Sequence, residues 1–293
     1  MAFAKPQYLV STDHLAGILG DPALRVLDCT VFLRPPAPDA PRQSYVQESG
    51  RANWEVGHIP GSAFADLVTD LSDRSQRLPF MCPPPEQFVA AMSALGVGEG
   101  TRVICYDANM SMWAARVWWL LRTMGFDDAS VLDGGLKKWV AEGRPVSTAL
   151  SSYPLARFVA RPRPQLMANK DDVVAATADG KTCIVNALTP AQHSGESGAS
   201  YGRAGHIAGS VNVSAQGLID RETGAYLPAE VLRGRFAQIG ASEAERVITY
   251  CGGGIAATSD ALVLTLLGHE NVSVYDGSLS EWARDESLPM EVG

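Results

Sequence analysis

Short apolar runs alternate with longer amphipathic stretches along the whole chain, and the alternation occurs twice. In the first half, Leu24-Arg25-Val26-Leu27-Asp28 reads as a strand and Pro84 to Met92 as a helix opened by proline. Arg102 to Tyr106 is the next strand, Trp113 to Met124 a helix closed by Gly125, Ser130 to Leu132 a strand, and Leu136 to Glu142 a short helix closed by Gly143. The second half repeats the order with strand Cys183 to Val185, helix Ala229 to Gln238, strand Arg246 to Tyr250, helix Ile255 to Leu267 and strand Val272 to Tyr275. Such alternation predicts an α/β fold with a parallel sheet flanked by helices, once per half.

Residue identities show the same doubling. Gly57-His58-Ile59-Pro60-Gly61-Ser62 returns as Gly205-His206-Ile207-Ala208-Gly209-Ser210, and Val103-Ile104-Cys105-Tyr106-Asp107 as Val247-Ile248-Thr249-Tyr250-Cys251. Leu132-Asp133-Gly134-Gly135 returns as Tyr275-Asp276-Gly277-Ser278, and Trp139 as Trp282. The chain is two copies of one unit, with small insertions between the matched segments. The expected division is an N-terminal domain over 1–145, a linker over 146–165 rich in proline, serine and arginine, and a C-terminal domain over 166–293.

With 46% hydrophobic and 19% charged residues, 293 residues suffice for two cores. A net charge of −8 disfavours nucleic acid and anionic membranes as partners. An anionic substrate would then depend on local arginines and backbone amides. The start, Met1-Ala2-Phe3-Ala4-Lys5-Pro6-Gln7, lacks the charged and apolar regions of a signal peptide, and the expected location is cytoplasmic. Cys29, Cys82, Cys105, Cys183 and Cys251 are odd in number and widely spaced, which argues against a disulfide framework or a metal site.

Cys251 is the residue with chemistry. It ends an apolar run, and Gly252, Gly253, Gly254, Ile255 and Ala256 lead from it into a helix. Three glycines can take positive φ and turn several N–H groups toward one point, and the helix start adds its own unpaired donors. Such a loop favours a thiolate. By contrast, Ala108-Asn109-Met110-Ser111-Met112 after Asp107 lacks glycine and is not expected to converge its amides. The run from Gly252 to Ala257 also fits a dinucleotide-binding G-x-G-x-x-A, with Asp276 as the ribose acid. It lies too near the end of the chain for the remaining βα units of such a fold. A cysteine phosphatase needs an arginine where Ala257 stands, which removes phosphoryl transfer.

Two α/β copies, paired Gly-His-Ile-x-Gly-Ser segments, Cys251 after a second-copy strand and Asp107 in the matching first-copy place resemble a tandem-domain rhodanese, the thiosulfate/3-mercaptopyruvate sulfurtransferase family. Ser72-Asp73-Arg74, Ala115-Arg116-Val117-Trp118-Trp119 and Leu132-Asp133-Gly134-Gly135-Leu136 are similar to its N-terminal domain. The resemblance implies a catalytically silent first domain and a site in the interdomain cleft. There Cys251 takes sulfur from a small anionic donor as a persulfide and passes it to cyanide, a thiol or a protein, without metal or organic cofactor.

The departures are local. Gly252 and Gly253 stand where thiosulfate-preferring members carry basic side chains, and Gly253 lacks the hydroxyl of mercaptopyruvate-preferring members. The segment Asn186 to Ser194 lacks the family's substrate arginines. Arg74, Arg116 and Arg203 are the candidate anion partners, with His58 either a substrate-site residue or, like His206, a tie to loop backbone. These features favour mercaptopyruvate over the dianion thiosulfate as donor. A non-catalytic sulfur-carrier or regulatory binding module is the alternative.

Overall fold

The computed structural model describes residues 2–34, 45–196 and 201–293. In the first unit, five parallel strands lie side by side in the order Leu9–Val10, Ala129–Leu132, Arg102–Tyr106, Leu24–Asp28, Ala63–Phe64. In the second, the order is Met167–Ala168, Val272–Tyr275, Arg246–Tyr250, Thr182–Asn186, Val211–Asn212, again all parallel. Both sheets therefore place their first, fifth, fourth, second and third strands in that spatial sequence. The internal repeat is a repeat of topology. The inner strands are buried on both faces, which is why they read as largely apolar runs. Each central strand ends at the residue of interest, Asp107 in one unit and Cys251 in the other. In open parallel sheets, ligands bind beyond such carboxyl ends.

Every residue from Ala257 to Leu266 in helix Ala256–Leu267 is buried. A helix buried all round needs cover on both sides. It lies on its own sheet and packs against helix Met112–Thr123 of the first unit, which is nearly as completely buried. The two units thus share one continuous apolar core. The expected linker, residues 146–165, is tied to the first unit. The Tyr153 hydroxyl donates to Gly61 O (2.8 Å) and accepts from Val26 N (2.9 Å), Ala156 N donates to Ser93 O (3.0 Å), and Arg161 N donates to Met124 O (2.8 Å).

His58 is fully buried. Its Nδ1 lies 2.6 Å from Trp54 O and its Nε2 3.2 Å from Ala149 O, and the ring stacks on Trp54. His206 likewise meets His193 O through Nδ1 (2.8 Å). Of the two roles open to His58 from the sequence, the structure places it in the backbone tie.

Asp260, on helix Ala256–Leu267, is fully buried, and neither carboxyl oxygen has a hydrogen-bond partner among the described residues. Burial pushes this carboxyl well above its ordinary value of 3.8. The folded chain then retains a proton that the unfolded chain has released, so Asp260 costs stability increasingly as pH rises above about 4. Asp260→Asn removes that linkage. It is expected to add roughly 1–2 kcal/mol and raise the melting temperature by about 2–8 °C at pH 7.5, with the gain shrinking toward pH 4. Calorimetry of both proteins across that pH range is the check, and an equal shift at every pH would refute it.

Candidate active site

Cys251 is only 3% exposed and is reached from a cavity of about 850 Å³ between the two units. The cavity is walled by most of the 72–80 segment and Trp113 of the first unit and by the Cys251 loop and Leu188 of the second. Cys251 N and Gly254 N both donate to the Ser278 hydroxyl at 3.1 Å, and Ser280 Oγ donates to Gly252 O at 2.6 Å. These bonds hold the loop from behind.

Among the three glycines, only Gly254 takes positive φ (+76°), and a Cβ there would lie 2.9 Å from Asp276 O. At Gly253 a Cβ would meet nothing closer than Ser280 Oγ at 3.9 Å, whereas at Gly252 it would overlap the Tyr201 ring. The expectation that all three glycines supply left-handed backbone is thus corrected. One turns the chain, one makes room for Tyr201, and one leaves open space.

The first-copy loop corrects a second expectation. The Asp107 carboxylate accepts from Asn109 N (2.8 Å), Ser111 N (3.1 Å), Trp113 N (3.0 Å) and Ala114 N (2.9 Å). This loop does converge its amides without glycine, because Ser111 itself takes φ +59°. A left-handed non-glycine residue costs about 1–2 kcal/mol, which four bonds to one carboxylate can offset. Burial holds the Asp107 carboxyl above its ordinary value, and the four amides oppose that shift.

The two loops have equal length, with helix Met112–Thr123 matching Ala256–Leu267 residue for residue. Asn109, Ser111 and Trp113 therefore correspond to Gly253, Ile255 and Ala257. Among the described residues, nothing in the protein accepts from the N–H groups of those three. The first copy fills its cradle with its own carboxylate. The second leaves the equivalent amides open beside a thiol.

The candidate arginines separate. Arg74 lines the cavity. Arg116 lies beneath it, fully buried, with Nη1 2.7 Å from Asp276 Oδ1 and 3.4 Å from Gly254 O, and Nη2 donating to Phe80 O at 2.5 Å. Asp276 Oδ2 accepts from Cys82 N at 2.6 Å. Burial works against the Arg116 charge, and the neighbouring Asp276, Cys82 and Cys251 overcome it, so its pKa is raised. Asp276, the ribose acid of the dinucleotide reading, is the counter-ion of this arginine. Arg203 donates to the carbonyls of Ala283, Leu288, Trp282 and Asp285 and clasps the C-terminal segment. Neither Arg116 nor Arg203 opens on the cavity.

Two further arginines do. Arg77 and Arg284 line it with Arg74, and none of the three side chains has a partner among the described residues. Arg77 lies three residues beyond the Ser72-Asp73-Arg74 motif, which was the signal available in the sequence. Arg284 follows the short helix Ser278–Trp282, which carries no such signal.

A repeated α/β unit with one carboxylate-filled and one thiol-bearing loop, meeting across a cleft, defines a two-domain cysteine-loop architecture. The Rhodanese-like domain model matches residues 11–142 and 167–285. A 3-mercaptopyruvate sulfurtransferase of Escherichia coli (strain K12) is 33% identical over 286 residues, covering 97% of this chain and 98% of its own length. The sulfur carrier protein TtuD of Thermus thermophilus is 31% identical over 307 residues, covering 100% and 99%. The crystal structure of SseA from Escherichia coli, a 3-mercaptopyruvate sulfotransferase with the rhodanese fold, superposes with a TM-score of 0.78 at 32% identity, covering 92% of this chain and 98% of its own. The chain belongs to the rhodanese family and is a sulfurtransferase.

Proposed function

We propose that this protein moves sulfane sulfur from 3-mercaptopyruvate, and less readily from thiosulfate, to cyanide, a thiol or a protein acceptor through a persulfide on Cys251. The observation that carries the reading is the pair of loops. Asp107 marks where a buried negative charge sits among the amides of this fold, and the matching amides beside Cys251 stand open for the charge of a thiolate or persulfide. The Cys251 thiolate attacks the outer sulfur of the donor, and the acceptor then takes that sulfur and regenerates the thiolate. Residues 1–145 are catalytically silent in this reading, because Asp107 occupies their cradle and is itself sealed from the cavity. The five cysteines are all unpaired, which suits a reducing compartment, and we place the protein in the cytoplasm. No helix among the described residues is long and apolar enough to cross a membrane.

The test is steady-state transfer to cyanide from each donor, with intact mass after donor treatment showing a gain of about 32 daltons, one sulfur, that cyanide removes. A protein that gains no sulfur from either donor defeats the reading. The likeness to a sulfur carrier over the full length of both chains supports a second reading, in which the persulfide forms and passes only to a protein. Slow release to cyanide combined with fast loading would favour it.

The rim arginines set the charge preference. A charge-assisted hydrogen bond contributes about 1.5–3 kcal/mol, so Arg284→Gln or Arg77→Gln should each lower kcat/KM for thiosulfate by roughly 10- to 150-fold, and for mercaptopyruvate by less. Arg203→Gln should act on stability and leave that ratio alone. Equal losses on both donors from the rim variants would show that they do not read charge.

A further inference from the structure

We propose that Tyr201 is the proton donor that completes sulfur removal from 3-mercaptopyruvate, an inference that rests on the reading above. Tyr201 lines the cavity with Cys251, and its hydroxyl end lies over Gly252, where any Cβ would overlap it. The absence of a side chain at the position after the thiol is therefore matched by a phenol brought in from another loop. Among the described residues that hydroxyl has no hydrogen-bond partner, unlike Tyr250, whose hydroxyl meets Ser210 Oγ at 2.7 Å. Burial, with the Cys251 and Tyr45 charges behind it, keeps the phenol protonated.

The other proton carriers of the cavity are engaged or misplaced. Ser280 Oγ donates to Gly252 O, Ser72 Oγ to Leu67 O, and Thr189 Oγ1 to Gln192 Oε1. Asp73 is half-buried and held below the usual carboxylate range by Ser75, so it is ionised. Tyr45 is an exposed residue of the wall, and among the described residues no histidine lines the cavity.

The chemistry requires such a group. The Cys251 thiolate bonds to the mercapto sulfur, the carbon–sulfur bond breaks, and its electron pair remains on the pyruvate enolate. Tyr201 gives its proton to that carbon, forming pyruvate. The phenolate recovers a proton from the new Cys251 persulfide S–H, leaving the persulfide anion. Thiolate and mercaptopyruvate become persulfide anion and pyruvate, with no external oxidant or reductant. Thiosulfate needs no such step, because sulfite leaves as an anion.

Tyr201→Phe keeps the ring over Gly252 and removes only the hydroxyl. A positioned general acid contributes about 10²–10⁴-fold, so kcat with mercaptopyruvate should fall by at least about 100-fold at little change in KM. With thiosulfate or benzenethiosulfonate, whose leaving sulfite and sulfinate need no proton on carbon, loading of Cys251 should slow by no more than about threefold, the range of a small packing change. Equal slowing with all donors would make Tyr201 a shaping residue and overturn the inference, as would undiminished pyruvate release. Failure of the unmodified protein to load from any donor is a different result and removes the parent reading.

Discussion

Cys251→Ser is expected to reduce sulfur transfer by at least about 10⁴-fold and to eliminate the sulfur adduct after donor treatment, because a serine hydroxyl neither ionises at neutral pH nor holds a persulfide. The other cysteines cannot substitute. Cys29 and Cys105 are fully buried in the core, and burial pushes Cys82 up to about 12 and Cys183 up to about 11. Cys82 and Cys183 stay thiols, and none of the four lies beside open amides as Cys251 does. Intact mass of Cys251→Ser after mercaptopyruvate is the decisive measurement. One added sulfur on that variant would move the chemistry to another residue.

Arg116→Met is expected to be the most damaging substitution outside the loop. It strands the Asp276 carboxylate in the interior, and breaking a buried pair in this way typically costs about 3–5 kcal/mol. It also releases two tethers at once, Gly254 O on the thiol loop and Phe80 O on the wall that carries Arg74 and Arg77. Urea unfolding should show the loss, and sulfur transfer should fall about tenfold as the cradle loosens. Adding Asp276→Asn to Arg116→Met should restore more than half of the stability, since the uncompensated charge is then gone. Strictly additive losses in that cycle would mean the pair is not coupled, and a single-variant cost below about 1 kcal/mol would mean the pair is not functionally buried.

These two residues mark how far a linear reading reaches. The strands Leu24–Asp28, Arg102–Tyr106, Arg246–Tyr250 and Val272–Tyr275 have in the structure the bounds their apolar runs predict, because a strand buried on both faces is dominated by apolar residues. The two-residue edge strands Leu9–Val10, Ala63–Phe64, Met167–Ala168 and Val211–Asn212 lack such runs. They exist only because an inner strand offers them a partner. Cys251 stood out through the repeat that sets it against Asp107. The amides around Asp107 did not, because Ser111 adopts a glycine-like backbone that its identity does not announce.

By itself, then, the sequence determined the doubled α/β architecture, the family it resembles and the cysteine we propose as the sulfur carrier, since periodicity, repetition and a cysteine before glycines are properties of order along the chain. Only the tertiary structure decided which charges and hydroxyls surround that sulfur. It sent Arg116 beneath the loop to Asp276, Arg203 to the C-terminal carbonyls and His58 to Ala149, while bringing Arg77, Arg284 and Tyr201 to the cavity. The reason is that a side chain's role follows from what packing places within a few ångströms of its polar atoms. For a cleft built from loops of two domains, those neighbours lie far apart in the chain.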